Sequence, residues 1–458
     1  MAIKVAFIGA GSVSFCPSTI RDVYLSDALN DTGVELVLMD ISADYLPQNV
    51  KYAQCIAEKF KRPVQVKGTT DLDEALRDAD YVITAIEVNR YLYWSQDFHI
   101  PRQYGFMQVY GENGGPGGLF HTLRNMGPML HIVRRMESLC PDATLLNFTN
   151  PESKLCQAIS MLTKVKTFGL CHGVGMGLNQ IASFLEMPAE KLSTAACGMN
   201  HFTWFQTIHD KETGEDLYPL LCKKERQADP LGKWDEIALS RMCLRVFGLW
   251  PSPGTNHIGE YVRWAQEFLA SSALQYYYDP LEGHPWETGK IPRFIYSMDA
   301  QHTDVPLFPK KGPQGAAAVP EHEGVSATEN IRPSGELAVP IIEALACNVA
   351  QELAAVVVPN QGMIPGLDDD TVVEVPALGD ANGVQLKQME PLGEAITAML
   401  RLQGSIQKLL VEAFVEKSRM KLLQALLLDP TVDSYRNAVA LINEMCELQK
   451  DVLPPLKW

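Results

Sequence analysis

The chain has 458 residues, 46% of them hydrophobic, enough to fill more than one ordinary core, so two domains are expected. Its 39 Lys and Arg against 55 Asp and Glu leave a formal charge of −16, which argues against a nucleic-acid or anionic-membrane partner but leaves room for an acidic substrate held by a local arginine. No leader-like opening and no apolar run of bilayer length are present, and the ten cysteines form neither a CxxC pair nor a regular framework, so the expectation is a cytoplasmic protein with reduced thiols and no membrane partner.

The first apolar run, Ile3 to Ile8, reads as a strand entering Gly9-Ala10-Gly11-Ser12 and then a helix. Gly9 permits a tight turn, the missing Cβ of Gly11 leaves room for a pyrophosphate, and free amides at the helix start bind the anion. Ser14 stands where the third glycine of GxGxxG belongs, so a plain Gly-rich turn of an α/β protein is the other reading. A second run, Val34 to Met39, ends in Asp40. An acid at the tip of strand two accepts hydrogen bonds from the adenosine ribose and repels a 2′-phosphate, favouring NAD over NADP; capping of the next helix is its alternative role.

Strand-like runs follow at Val64–Lys67, Tyr81–Ile86, Ala143–Phe148 and Val165–Leu170, with helical patterns between most of them. That alternation predicts a parallel sheet covered on both faces, a Rossmann-type doubly wound α/β domain over residues 1–170. Residues 171–458 then form a second, α+β domain. Within it the Pro- and Gly-rich stretch from Asp304 to Arg332 reads as a long mobile loop, Ser334 to Val357 as a helix feeding a strand, and Met389 to Leu428 as a helical layer.

Cys171-His172 follows the last of the parallel strands, and ligands bind at the carboxyl ends of such strands. Some thirty residues later, Gly198-Met199-Asn200-His201-Phe202-Thr203-Trp204 places His201 beside Asn200. A thiolate and an imidazole can hold a divalent cation whose other positions are filled by substrate oxygens or water. The bland alternative is a buried cysteine and a hydrogen-bonded core histidine.

Together these stretches resemble glycoside hydrolase family 4, glycosidases that use NAD and a divalent metal, usually manganese. The matches are Gly9-Ala10-Gly11-Ser12-Val13, Asn147-Phe148-Thr149-Asn150-Pro151 with Ser153, Cys171-His172-Gly173-Val174, the Gly198–Trp204 stretch, Asn360 to Leu367, and Val373-Glu374-Val375-Pro376. The resemblance covers nearly the whole chain and implies a second domain like that of lactate and malate dehydrogenases, with a homodimer or homotetramer as the assembly. It also implies a chemistry: NAD⁺ takes a hydride from C3 of the sugar, a base removes the acidified C2 proton, and the aglycone leaves from C1. Water then adds and the hydride returns.

On this resemblance Cys171 and His201 are the metal ligands, and Asn150, Asn200 and Asn113 contact substrate. Asn150 has a turn role before Pro151 as its alternative, and the glycines of Glu112–Gly118 have a tight turn before a helix from Leu119. His172 stands where one branch has an acid for the departing alcohol, and a histidine does the same work near neutral pH or orients a sugar hydroxyl. The C2 base falls in Ser252–Tyr261, with His257 nearest its position and Tyr261 and Glu260 as competitors. The Cys-His quartet resembles members acting on unphosphorylated α-glycosides, among them α-glucosides, α-galactosides and α-hexuronides; Arg90, Arg263 and Arg293 are candidates for pairing with a hexuronide carboxylate. The rival functions are an NAD-dependent hydroxy-acid dehydrogenase, which needs a histidine base and no metal, and a non-catalytic dinucleotide sensor.

Overall fold

The computed structural model describes residues 2–12, 15–44, 46–63, 65–228, 237–265, 275–277, 295–297 and 331–458. Ser14, Val64, Arg293 and all but the last two residues of the 304–332 stretch lie outside the described residues.

Six short strands form the parallel half of one large sheet: β1 (Ile3–Ile8), β2 (Val34–Met39), β3 (Gln65–Thr69), β4 (Tyr81–Thr84), β5 (Thr144–Asn147) and β6 (Thr167–Gly169), in the order β3-β2-β1-β4-β5-β6. This is the doubly wound order, with its switch point between β1 and β4. Alternate residues of β1 explain why both faces are covered. Val5 and Phe7 pack with Ile20 and Leu36 on one side, whereas Ala6 and Ile8 pack with Val37 and Leu130 on the other.

Beyond β6 the sheet continues antiparallel. The later strands are β7 (Leu192–Met199), β8 (Phe202–Asp210), β9 (Trp250–Ser252), the separate pair β10 (Gln275–Tyr277) and β11 (Ile295–Ser297), then β12 (Gln351–Pro359), β13 (Val372–Asp380) and β14 (Gly383–Leu386). After β6 the order runs β12-β13-β7-β8-β9, with β14 beside β13. Single register contacts, Val357 to Gly169 and Glu374 to Gly198, stitch the halves together, so the carboxyl end of β6 opens beside the β7–β8 hairpin.

Two helix boundaries differ from the sequence reading. The helix expected from Leu119 begins at Gly115, because Pro116 sits in the first turn, where its missing N–H costs nothing. The glycines therefore belong to the helix, and a Cβ on Gly117 would lie 2.3 Å from the Asp97 carbonyl oxygen. The C-terminal layer is interrupted at Lys417, which is left-handed, and Ser418 caps the next helix by accepting from the Lys421 N–H. Its helices, Glu394–Glu416, Arg419–Leu428 and an unforeseen third at Tyr435–Leu448, pack on helices Arg90–Gln103 and Gly115–Leu139 through Leu410, Leu422, Leu441, Ile100 and Phe120. A buried ion pair, Arg124 to Asp97 at 2.6 Å, joins those last two helices, and Gln449 bonds both partners at 2.9 and 3.0 Å. No helix among the described residues is long and apolar enough to cross a membrane.

Candidate active site

At the end of β1, Gly9 has φ +95°, and a Cβ there would lie 2.3 Å from the Ala85 carbonyl oxygen just past β4. The Gly9 and Ala10 amides both bond Met39 O, so the turn is sewn to the end of β2. Asp40 lies at that same end: its carboxylate accepts from the Gly11 N–H at 2.7 Å and the Ser42 N–H at 3.0 Å. Ser12 Oγ accepts from the Phe15 N–H at 3.1 Å, at the start of helix Phe15–Leu25. Gly9, Gly11, Ser12 and Asp40 thus meet at the switch point, where doubly wound folds bind dinucleotides.

The second cluster lies where the two halves of the sheet meet. Cys171 precedes helix Gly173–Leu185, and its Sγ accepts from the Gly173 N–H at 3.3 Å. His201 and Asn200 occupy the two-residue turn between β7 and β8, whose flanking residues Met199 and Phe202 are paired. Cys171 Sγ and His201 Nε2 stand 3.1 Å apart. A cation about 2.3 Å from a sulfur and about 2.1 Å from a nitrogen holds those atoms about 3.1 Å apart at a right angle and about 3.6 Å apart at the tetrahedral angle, so the pair stands at the short end of the range that a shared metal spans. Among the described residues no third His, Cys, Asp or Glu joins them.

The 252–261 segment closes over this pair. Ser252 Oγ donates to Gly173 O at 2.6 Å, and the His257 ring stacks on His201 with centroids 4.7 Å apart. Burial lowers the His257 pKa to about 4 and pushes that of His201 well below the ordinary imidazole value, with the neighbouring histidines adding to it. Both rings are therefore neutral near pH 7. Burial, followed by the Glu152 and Glu374 charges, pushes the Cys171 thiol well up, so a thiolate there requires a cation.

Phe148, Asn150, Cys171, His172, His201 and His257 line a cleft of about 120 Å³. His172 is half exposed at its rim, and its Nδ1 lies 3.2 Å from Glu336 Oε1; this bond and the Glu336 charge raise its pKa. Asn113 is fully buried with neither side-chain polar atom partnered, and Asn200 Oδ1, His201 Nδ1 and His257 Nδ1 are likewise buried without partners. Such orphaned groups suit a ligand rich in hydroxyls.

The competing base candidates are otherwise engaged. Glu260 accepts from the Glu112 and Asn113 amides at 2.7 and 3.1 Å, and burial raises its pKa to about 8. Tyr261 is buried with its hydroxyl accepting from the His201 N–H at 3.4 Å. Of the arginines, Arg263 is corrected to a surface position, paired with Asp433 at 2.6 Å, and Arg90 is held by Glu112 and Glu87 at 2.6 and 3.2 Å. Sequence reasoning missed Glu336, the buried carboxyls Glu152 and Glu374, and Lys154, whose Nζ bonds Asn113 O. Of these, only Glu152 and Lys154, beside Pro151 and Ser153, and Glu374 lay within or next to a stretch already singled out.

A doubly wound dinucleotide fold with a Cys–His cleft at its switch from parallel to antiparallel strands defines an α/β enzyme of the Rossmann type. The Family 4 glycosyl hydrolase pattern matches residues 4–187, and that of the Family 4 glycosyl hydrolase C-terminal domain matches residues 196–432. The chain is 30% identical to an alpha-glucosidase of Erwinia rhapontici over 100% of both chains, and 28% identical to an alpha-galactosidase of Bacillus subtilis (strain 168) over 99% of this chain and 100% of that one. Its fold matches a crystal structure of a 6-phospho-alpha-glucosidase from gut microorganisms in complex with NAD and Mn²⁺, with a TM-score of 0.78 at 21% identity over all of both chains. The protein belongs to glycosyl hydrolase family 4 and is a glycoside hydrolase.

Proposed function

We propose that the enzyme hydrolyses unphosphorylated α-glycosides, an α-glucoside, α-galactoside or α-hexuronide, with NAD and a divalent metal, Mn²⁺ first, as cofactors. The observation that carries this reading is the 3.1 Å approach of Cys171 Sγ to His201 Nε2 at the edge of a dinucleotide fold. When bound, NAD⁺ accepts and returns the C3 hydride and the cation stabilises the oxygens of C2 and C3.

The protein's own groups do the rest. Gly9, Gly11, Ser12 and Asp40 hold the dinucleotide, and Cys171 and His201 hold the cation. Asn150 lines the cleft and meets sugar hydroxyls, with Asn113 and Asn200 supplying further buried amides. His257 is our choice for the C2 base, since it alone of the three candidates lines the cleft. His172 at the rim is the acid for the departing alcohol.

We take residues 1–170 as the nucleotide domain and 171–458 as the metal, substrate and oligomerisation domain. Exposed Val415, Met420, Leu427, Tyr435 and Trp458 on and beside the C-terminal helices favour a homodimer or homotetramer. Ten unpaired cysteines suit a cytoplasmic setting.

The test is a panel of α-glycosides, with and without a 6-phosphate, assayed with and without NAD⁺ and Mn²⁺ under reducing conditions. Cleavage of unphosphorylated members that needs both additives is expected. Net NADH accumulation would identify a dehydrogenase, binding without turnover a sensor, and a preference for 6-phosphoglycosides would overturn the substrate class.

A further inference from the structure

We infer that Glu336 is a positioning residue for the departure of the aglycone, turning the His172 ring so that Nε2 faces the oxygen that leaves C1. The inference rests on the glycosidase reading above, with His172 as the acid.

The two residues lie far apart in the chain. His172 lies just past β6, after Leu170 and Cys171, and Glu336 lies just before helix Ala338–Cys347. His172 Nδ1 and Glu336 Oε1 are 3.2 Å apart, and the carboxylate is 15% exposed against 52% for the imidazole. A ring so exposed turns freely unless something holds one edge. The carboxylate takes the Nδ1 edge, and the Nε2 edge is left to the cleft that His172 shares with Asn150, Cys171 and His257.

The backbone that carries this carboxylate is itself braced. The Glu336 N–H donates to Ser334 Oγ at 3.0 Å, the Ser334 N–H donates to Asp22 Oδ1 at 2.8 Å, and the Ser334 hydroxyl donates to the other Asp22 oxygen. Asp22 belongs to helix Phe15–Leu25, which follows the Gly9–Ser12 turn. Val339 and Ile342, buried in the main core, anchor the helix that begins just after Glu336. A carboxylate carried on a backbone held in this way favours one tautomer and one orientation of the histidine it bonds.

The chemistry uses both edges of the ring. As the base takes the C2 proton, the electron pair left behind forms the C1–C2 double bond, the C1–O pair goes to the glycosidic oxygen, and that oxygen takes the proton from His172 Nε2. The neutral ring keeps its Nδ1 proton, hydrogen-bonded to Glu336. When water adds to C1, the Nε2 lone pair takes one of the water's protons, restoring the acid.

The test compares unaltered enzyme and Glu336→Gln, both loaded with NAD⁺ and Mn²⁺, on one sugar bearing leaving groups from activated nitrophenols to simple alcohols. Loss of acid assistance should cost about 10²-fold in kcat/KM for the alcohols and little for the nitrophenols, steepening the dependence on leaving-group acidity. Glu336→Asp should restore part of the loss, and Ser334→Ala, which only frees the turn, should shift the dependence in the same direction by less. Deuterium uptake at C2 from the nitrophenyl substrate should stay unchanged. An equal loss on every leaving group, with the dependence unaltered, would reduce Glu336 to a structural contact and overturn the inference. No cleavage by the unaltered enzyme would instead bring down the glycosidase reading, and this inference with it.

Discussion

Gly9→Ala and Gly105→Ala form a matched pair that isolates one term at the nucleotide turn. Both glycines have left-handed backbones, φ +95° and +86°. A side chain at such a φ costs about 1–2 kcal/mol wherever it stands. The surroundings differ: a Cβ on Gly105 meets nothing within 4 Å, whereas one on Gly9 meets Ala85 O at 2.3 Å and Ala85 C at 2.7 Å. These are backbone atoms, and the Ala85 N–H is itself bonded to Ile8 O at 2.9 Å, so relief requires parting β1 from β4. Overpacking of that kind costs about 1–3 kcal/mol more. Thermal melting should therefore place Gly9→Ala below Gly105→Ala, with about 2–4 °C lost for each additional kcal/mol in a unit the size of the nucleotide half. Calorimetric titration should find NAD affinity weakened in the Gly9 variant and retained in the Gly105 variant. Equal melting temperatures with unchanged NAD affinity would refute the reasoning, because the clash would then cost nothing and the turn would not be part of the cofactor site.

Cys171→Ser and His201→Ala should each abolish turnover while leaving NAD binding largely intact, and metal analysis of the purified variants should find Mn²⁺ lost; stoichiometric metal with normal activity would displace both ligands. Product formed in D₂O should carry deuterium at C2, a label placed at C3 should return there, and His257→Ala should suppress the C2 exchange far more than sugar binding. Exchange that survives in His257→Ala and disappears in Tyr261→Phe would move the base to Tyr261. Arg124→Met strands the fully buried Asp97 carboxylate and should cost about 3–5 kcal/mol by chemical denaturation, most of it recovered in Arg124→Met/Asp97→Leu; equal stabilities of the single and double variants would count against that account.

What the sequence determined by itself was local. Apolar runs of four to six residues broken by Gly, Asp and Pro specify strands and turns through their own burial and backbone preferences, and the parallel half of the sheet appears close to where those runs lie. Where the Gly9–Ser12 turn, Asp40, Cys171 and His201 fall in the fold was legible for the same reason, since each sits near the end of a strand or in a tight hairpin turn. The boundary at Lys417 was not, because a left-handed lysine between two leucine-rich helices carries no composition signal. Tertiary structure alone decided which side chains meet. It withdrew Arg263 to the surface, engaged Arg90 with two carboxylates, and locked Glu260 onto backbone amides. It also brought Glu336 to His172 and stacked His257 on His201. Those contacts join residues far apart in the chain, and their energies depend on burial and on partners that no local window contains.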